Sequence, residues 1–152
     1  MLLCFYFQHE SIQYNLDAHG ILKINSKVTN ISDGDYTLEH LLNWLPLAPQ
    51  ADEILDFYGH WTKERQPQRR EIAYGLTTRE GFEGRSGHDY TITQIALTKA
   101  TNFNQGEAWS MGVAWSGNNI HHVEKLIDRS KSIGAGEYLL PGEVILAKGE
   151  SY

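Results

Sequence analysis

Cysteine is almost absent from this chain. Cys4 is the single one, so no internal disulfide can form. That usage fits a reducing compartment, and the cytoplasm is the expected location. Long apolar runs are missing too. Leu2–Phe7 is apolar but far too short to span a membrane, and no basic segment precedes it as in a signal peptide. It reads as a strand, with Cys4 as a packing residue, and a strand starting so early predicts that the chain begins inside a domain. Positive charge is scarce: 13 Lys and Arg stand against 19 Asp and Glu, a net charge of −6. A nucleic-acid backbone is therefore a poor partner. The basic residues Lys63, Arg65, Arg69, Arg70, Arg79 and Arg85 are interleaved with Glu64, Glu71, Glu80, Glu83 and Asp89, which describes salt-bridged loops better than a phosphate-binding patch. No repeat, low-complexity tract or linker interrupts the 152 residues, enough for one domain with a real core.

Helix signals are also lacking, since no segment has both the length and the caps of a helix. What is present is alternation. Ile12, Tyr14 and Leu16, then Leu22, Ile24, Ser26 and Val28, flank the turn Asp17-Ala18-His19-Gly20, which predicts a β-hairpin. Asn30–Asp35 predicts a tight turn. Tyr36–Leu47 fits a helical face through Leu38, Leu41, Leu42 and Leu45, or a strand through Leu38, His40, Leu42 and Trp44, and Pro46 and Pro49 end it either way. Further strands are expected at Ile54–Trp61, at Glu71–Thr78 with an interruption at Gly75, at Tyr90–Leu97, at Val123–Ile127 and at Glu143–Ala147. Another is expected at Glu107–Trp115, with Trp109, Met111, Val113 and Trp115 on one face. Gln66-Pro67-Gln68 is expected to break the charged segment. Many short strands between Gly, Pro and Asn turns imply an all-β sandwich or large antiparallel sheet. Gly149–Tyr152 reads as a turn entering another strand, so the chain is expected to be cut at both ends.

Most chemical motifs are missing. Paired carboxylates for glycosidic chemistry require geometry that spacing cannot supply, and Asp52, Glu53, Asp56, Glu64 and Glu71 carry no mark of burial. His121 and His122 are adjacent and point to opposite faces of a strand. The other histidines lack ligand spacing, so surface or hydrogen-bonded roles are expected and no metal. Asp33-Gly34-Asp35 lacks the remaining ligands of a calcium loop. Ser116 is not in a nucleophile elbow, and Gly84-Arg85-Ser86-Gly87 lacks the lysine of a phosphate loop. No cofactor is implied.

One stretch stands apart. Asp56-Phe57-Tyr58-Gly59-His60-Trp61-Thr62-Lys63-Glu64-Arg65, followed by Arg69-Arg70, turns abruptly from aromatic to charged. Val113–Asn119 has the same character. Aromatic faces beside guanidinium groups suit a polar ring-shaped partner or the wall of another domain. The plain alternative is core aromatics with salt-bridged strand ends.

Leu55–Arg70 resembles the β-sandwich domain of microbial retaining α-galactosidases of glycoside hydrolase family 36, where the run takes the form Leu-Asp-Phe-x-Gly-x-Trp-x-x-Glu-Arg-x-x-x-Arg-Arg. Four further markers follow in order: Gly84-Arg85-Ser86-Gly87-His88-Asp89, Gly106-Glu107-Ala108-Trp109, Val113–Asn118, and Gly136–Val144 with Gly149–Tyr152. The resemblance covers nearly the whole chain. It implies an antiparallel β-supersandwich, galactose mutarotase-like and incomplete at both ends, with Tyr36–Leu47 as strand. It also implies that the two catalytic aspartates belong to a (β/α)₈ barrel outside these residues, so this chain alone is expected to be inactive. The expected partners are the catalytic barrel of the same polypeptide, further copies in a homo-oligomer, and galactosides through the parent enzyme. No nucleic acid and no membrane are expected. The interface or ligand-wall candidates are Trp61, Glu64, Arg65, Arg69, Arg70, His88, Trp115 and Asn118. A free-standing carbohydrate-binding or β-sandwich interaction module is the alternative reading.

Overall fold

The computed structural model describes residues 8–85, 87–88 and 93–152. Cys4 and the start of the expected Tyr90–Leu97 strand lie outside the described residues. The described chain is all-β, with twelve strands and no helix among the described residues: β1 Gln8–Leu16, β2 Leu22–Asn30, β3 Tyr36–Leu38, β4 Leu41–Pro46, β5 Ala51–His60, β6 Lys63–Glu71, β7 Gly75–Gly81, β8 Thr93–Thr98, β9 Ala108–Gly112, β10 Asn119–Lys125, β11 Lys131–Glu137 and β12 Val144–Leu146. The chain divides into two compact units, residues up to Leu41 with Leu139–Tyr152, and Leu42–Tyr138.

In the first unit, β1 and β2 form the hairpin that the alternation predicts, in a register that sets Leu16 opposite Leu22 and Tyr14 opposite Ile24. Asp17 closes its turn, its carboxylate accepting from the N–H groups of His19 and Ile21 at 2.8 and 2.9 Å. Gly20 supplies the positive φ of 82°. Strands β3 and β12 pair, and Val28, Leu38, Leu139 and Leu146 are buried together. Asn30 is fully buried and pins the turn that follows it. Its amide donates to the carbonyls of Gly34 and Leu146, both at 2.8 Å, and its oxygen accepts from Ser32. The closing residues do enter strand-like pairing: Tyr152 and Val28 exchange backbone bonds of 2.9 and 3.0 Å beside the Thr29–Ser151 bridge.

The second unit is a sandwich. One sheet has the order β4-β11-β10-β7 and the other β6-β5-β8-β9. Ile54 and Ala96 from one sheet, Val123 and Ile133 from the other, and Leu47, Ala51 and Ile72 share one core, with Leu45, Trp109 and Met111 packed against it. Fully burying such side chains stabilises the sandwich by roughly 1.5–3 kcal/mol each. Asp56, Gln94, Asn119 and His121 are buried too, so the interior contains polar groups as well as the apolar cluster.

Four expectations need correction. Tyr36–Leu47 is strand, but Glu39 and His40 divide it into β3 and β4. Pro67 does not break β6, because β6 is an edge strand, where a missing N–H costs no ladder bond. Glu71 ends β6 rather than starting the next strand, and Gly75 (φ 92°) begins β7. Strand β9 stops at Gly112, so Trp109 and Met111 face the core while Val113 and Trp115 lie beyond the strand. Besides β6, one strand was not expected. Lys131–Glu137 carries Gly134 and Gly136, residues that ordinarily weaken a strand. Here Gly134 is required: a Cβ there would fall 2.6 Å from Trp44 Cδ2. Trp44 in turn stacks on His122, with centroids 5.2 Å apart and planes 2° from parallel. His122 also bonds Thr78 through Nδ1 at 3.1 Å, the hydrogen-bonded alternative of the expectation, and both adjacent histidines are buried and not on the surface.

Candidate functional site

Left-handed backbone and a bulge meet at the tip of the β5–β6 hairpin. His60 pairs with Lys63, leaving Trp61-Thr62 as a two-residue loop. Thr62 has a φ of 70°, at the loop position where glycine is the usual choice. Just below, Tyr58 pairs with Gln66, so Gly59 alone stands opposite both Glu64 and Arg65. This is a β-bulge, and Arg65 sits in it with a φ of 53°. Gly59 allows the close approach. Its φ is 152°, and a Cβ there would lie 2.1 Å from the Lys63 carbonyl oxygen. Two non-glycine residues in left-handed conformations within four positions cost of order 1–3 kcal/mol each, and such strain gathers at functional sites.

The tip is held by Glu64. Its carboxylate accepts from the Thr62 N–H at 2.8 Å and lies 3.7 Å from His88 Nδ1. The N–H groups of Glu64 itself and of Thr62 hold this carboxyl below the usual carboxylate range, and the nearby His88 and His60 act in the same direction. Trp61 is 72% exposed and meets His88 edge-on, with centroids 5.7 Å apart. The segment carrying His88 is anchored upstream, where Phe82 packs edge-on against Tyr138 at 4.8 Å and the Gly84 N–H donates to Asn118 Oδ1 at 2.8 Å.

At the foot of the tip, Asp56 is 4% exposed. It accepts from Arg70 Nη2 at 3.0 Å, with Arg79 Nε 3.7 Å away. Arg79 also donates to the Phe57 carbonyl at 3.1 Å. Beside this network a cleft of about 470 Å³ is lined by Tyr58, Gly59, His60, Lys63, Gln66 and Arg79. Its cations are Lys63 and Arg79, and no carboxylate lines it among the described residues.

The eight candidate residues separate into groups. Trp61, Glu64 and His88 come together at the tip. Asn118 anchors the segment that carries His88. Trp115 is 47% exposed, and its ring lies against Gly117, where a Cβ would fall 2.4 Å from Nε1. Arg70 faces the interior network with Asp56. Arg69 points to the other side of the sheet. It pairs with Glu53 and donates to the carbonyls of Thr101 (2.6 Å) and Thr98 (3.3 Å), tying the edge strand to the β8–β9 connection. Arg65 is exposed and makes no ion pair among the described residues. The carboxylates weighed for catalysis face basic side chains instead of each other: Asp52 meets Lys131, Glu53 Arg69, Asp56 Arg70 and Glu71 Lys99, and Glu64 lies beside the His88 imidazole. The cleft residues Tyr58, His60, Lys63, Gln66 and Arg79 were not singled out as a site from sequence. The available signal was the aromatic-to-charged run, which contains Tyr58, Gly59, His60 and Lys63 but not Gln66 or Arg79.

Comparison with known proteins covers nearly the whole chain. The family model described as Glycosyl hydrolase family 36 N-terminal domain matches residues 10–147. The alpha-galactosidase of Escherichia coli is 33% identical over 132 residues, which is 87% of this chain and 19% of that protein. Alpha-galactosidase 2 of Hypocrea jecorina is 30% identical over 99 residues, 64% of this chain and 13% of its own. The chain thus spans less than a fifth of the length of these curated relatives. Among solved structures, the GH36 alpha-galactosidase AgaB from Geobacillus stearothermophilus superposes with a TM-score of 0.85 at 21% identity, over 96% of this chain and 20% of that one. The alpha-galactosidase from Lactobacillus brevis gives 0.85 at 21%, over 95% and 20%. At such identities these two structures speak to the fold alone.

Proposed function

Because this chain belongs to the glycosyl hydrolase family 36 N-terminal domain family, we propose that it forms the non-catalytic β-sandwich portion of a cytoplasmic α-galactosidase. The parent polypeptide hydrolyses terminal α-galactosides of the melibiose and raffinose type with retention. This portion packs on the catalytic barrel and supports a homo-oligomer. The observation that carries the reading is the match over residues 10–147, joined to relatives that bear the name alpha-galactosidase and of which less than a fifth is matched. Retaining hydrolysis needs two carboxyl groups roughly 5–5.5 Å apart. Four of the carboxylates weighed here are engaged with a Lys or Arg and Glu64 faces His88, which supports a non-catalytic role. The exposed Trp61 and Arg65 supply the side-chain types that anchor interfaces.

The test is an assay of nitrophenol release from a nitrophenyl α-galactoside. The chain alone is expected to be silent, and a polypeptide carrying it with the barrel is expected to be active. In the isolated chain, Trp61→Ala and Arg65→Ala should change stability by less than about 0.5 kcal/mol. In the longer polypeptide the same changes should weaken assembly or turnover. Activity of the isolated chain that disappears in Asp56→Asn would overturn the reading.

A further inference from the structure

Ala51 pairs with Thr98, and the Lys131 ammonium donates to the carbonyls of Pro49 and Ala51. The β8–β9 and β10–β11 connections therefore leave the two sheets of the sandwich at the same end. They carry the two most exposed large apolar side chains among the described residues, Phe103 at 110% and Ile127 at 96%. Tyr74 lies at that end too, its ring 4.5 Å from the Nζ of Lys125.

Exposure alone would say little, since single apolar residues are common on surfaces. The bracing of residues 98–107 is what singles this loop out. The Asn102–Gln105 bridge leaves Phe103-Asn104 as a two-residue tip, and Asn102 Oδ1 accepts from the Asn104 N–H at 2.9 Å. Below the tip the Thr98 and Thr101 hydroxyls meet at 2.7 Å, and the Glu107 N–H donates to Thr98 Oγ1 at 3.1 Å. Two side chains reach in from elsewhere in the sandwich: Arg69 donates to the Thr101 and Thr98 carbonyls, and Gln50 to the Glu107 carboxylate at 3.0 Å. Ala100 takes a φ of 63°, and a Cβ on Gly106 would fall 2.3 Å from Thr101 Oγ1. Turn tips ordinarily carry small polar residues. Here a strained and braced loop holds a phenylalanine in solvent. A side chain held in place in advance gives up little freedom when it is seated in a partner.

A projecting ring fits a pocket. The cleft beside the β5–β6 tip is at the other end of the sandwich, about 30 Å away along β5. Phe103 of one copy seated in the cleft of the next would be a head-to-tail contact, which repeats without closing. The matched relatives supply another source, because this chain spans less than a fifth of their length.

We propose that the β8–β9 connection docks the sandwich onto the remainder of a longer polypeptide, with Phe103 inserted in an apolar pocket of that remainder and Ile127 covered at the same end. The proposal rests on the reading of the chain as an accessory portion and adds the face by which it packs.

Hydroxyl-radical footprinting tests it, comparing oxidation of Phe103 in the chain alone and in the intact longer polypeptide. Phe103 is expected to react about tenfold more slowly in the longer polypeptide. Phe103→Ala should raise amide exchange of residues 99–107 about tenfold there, as removal of an anchoring side chain does. In the chain alone, where the ring is in solvent, the same change should leave that exchange as it is. Equal oxidation of Phe103 in both proteins would overturn the docking face, and so would unchanged exchange in the longer Phe103→Ala protein. Protection of Phe103 in the chain alone that grows with concentration would assign the face to a second copy and overturn the proposal. Trp61, at the other end, separates two kinds of failure. A protected Trp61 with a reactive Phe103 strikes this inference alone, whereas no protection anywhere in the chain strikes the accessory reading as well.

Discussion

The two long hairpins of this chain have similar strands and opposite turns. In β1–β2 the residues suit the conformations they adopt: glycine takes the positive φ, aspartate caps the turn, nine pairs form without a register shift, and polar and apolar side chains alternate from Ile12 to Leu16. In β5–β6 threonine and arginine take left-handed conformations, a bulge interrupts the pairing, and a tryptophan stands in solvent. The first hairpin is explained by its own stability. The second keeps costs that its own stability does not explain, and it is the one with the cleft. The contrast teaches that exposure of apolar residues is a weak guide, since Ile12, Tyr14 and Leu16 are exposed as well. Local strain combined with a defined cavity is the stronger one.

The sharpest way to break this comparison is to add one methyl group to each hairpin. Gly59→Ala meets backbone at 2.1 Å, whereas Gly20→Ala meets nothing within 4 Å. Gly59→Ala should cost about 3 kcal/mol or more, and Gly20→Ala about 1 kcal/mol, in urea unfolding. Equal costs would remove the distinction. Next come the two aspartates. Asp56→Asn weakens a buried acceptor with two arginines near it and should cost about 2 kcal/mol, discounted because both partners are a third exposed. Asp17→Ala removes two exposed turn bonds and should cost about 1 kcal/mol.

A smaller effect of opposite sign is expected from Thr62→Gly. It relieves a left-handed β-branched residue but adds chain entropy to the unfolded state, for a net gain of about 0.5 kcal/mol. Thermal melting would show the gain, and fluorescence anisotropy should show a looser Trp61. A loss of stability would mean that Thr62 is not strained. The least effect is in pH. The Glu64 carboxyl is depressed in the folded chain, so what it contributes is present above its unfolded value and is lost as pH falls through the folded one. Trp61 emission should therefore hold steady through the ordinary carboxylate range and change only below it. Glu64→Gln should abolish that step, and the β1–β2 hairpin, followed through Tyr14, should show none of it.

Much of the fold was legible. Period-two alternation with Gly-ending turns located the β1–β2 hairpin to its turn residues, and the Asn30–Asp35 turn followed from composition. Strand β11 was hidden because Gly134 answers to Trp44, a partner ninety positions away, and not to local propensity. Pro67 misled because an edge position cannot be told from a central one without the sheet order. Of the site, Trp61, Glu64 and His88 were among the residues singled out from the aromatic-charged run and the loop that follows it. The cleft was not, since a bulge reverses the facing that spacing implies for Lys63 and Gln66, and Arg79 arrives from another strand.

Pro67 has a further consequence. A sheet edge ordinarily presents a row of N–H and C=O groups on which a foreign strand can template itself, the first step toward fibrils and domain swapping. Along β6 an incoming strand would meet Pro67, with no N–H to offer, among Lys63, Glu64, Arg65, Arg69, Arg70 and Glu71. Pro67 and these charges disfavour growth of that edge by backbone pairing. Association there is favoured through side chains, which can be selective, over the peptide ladder, which is indifferent to sequence.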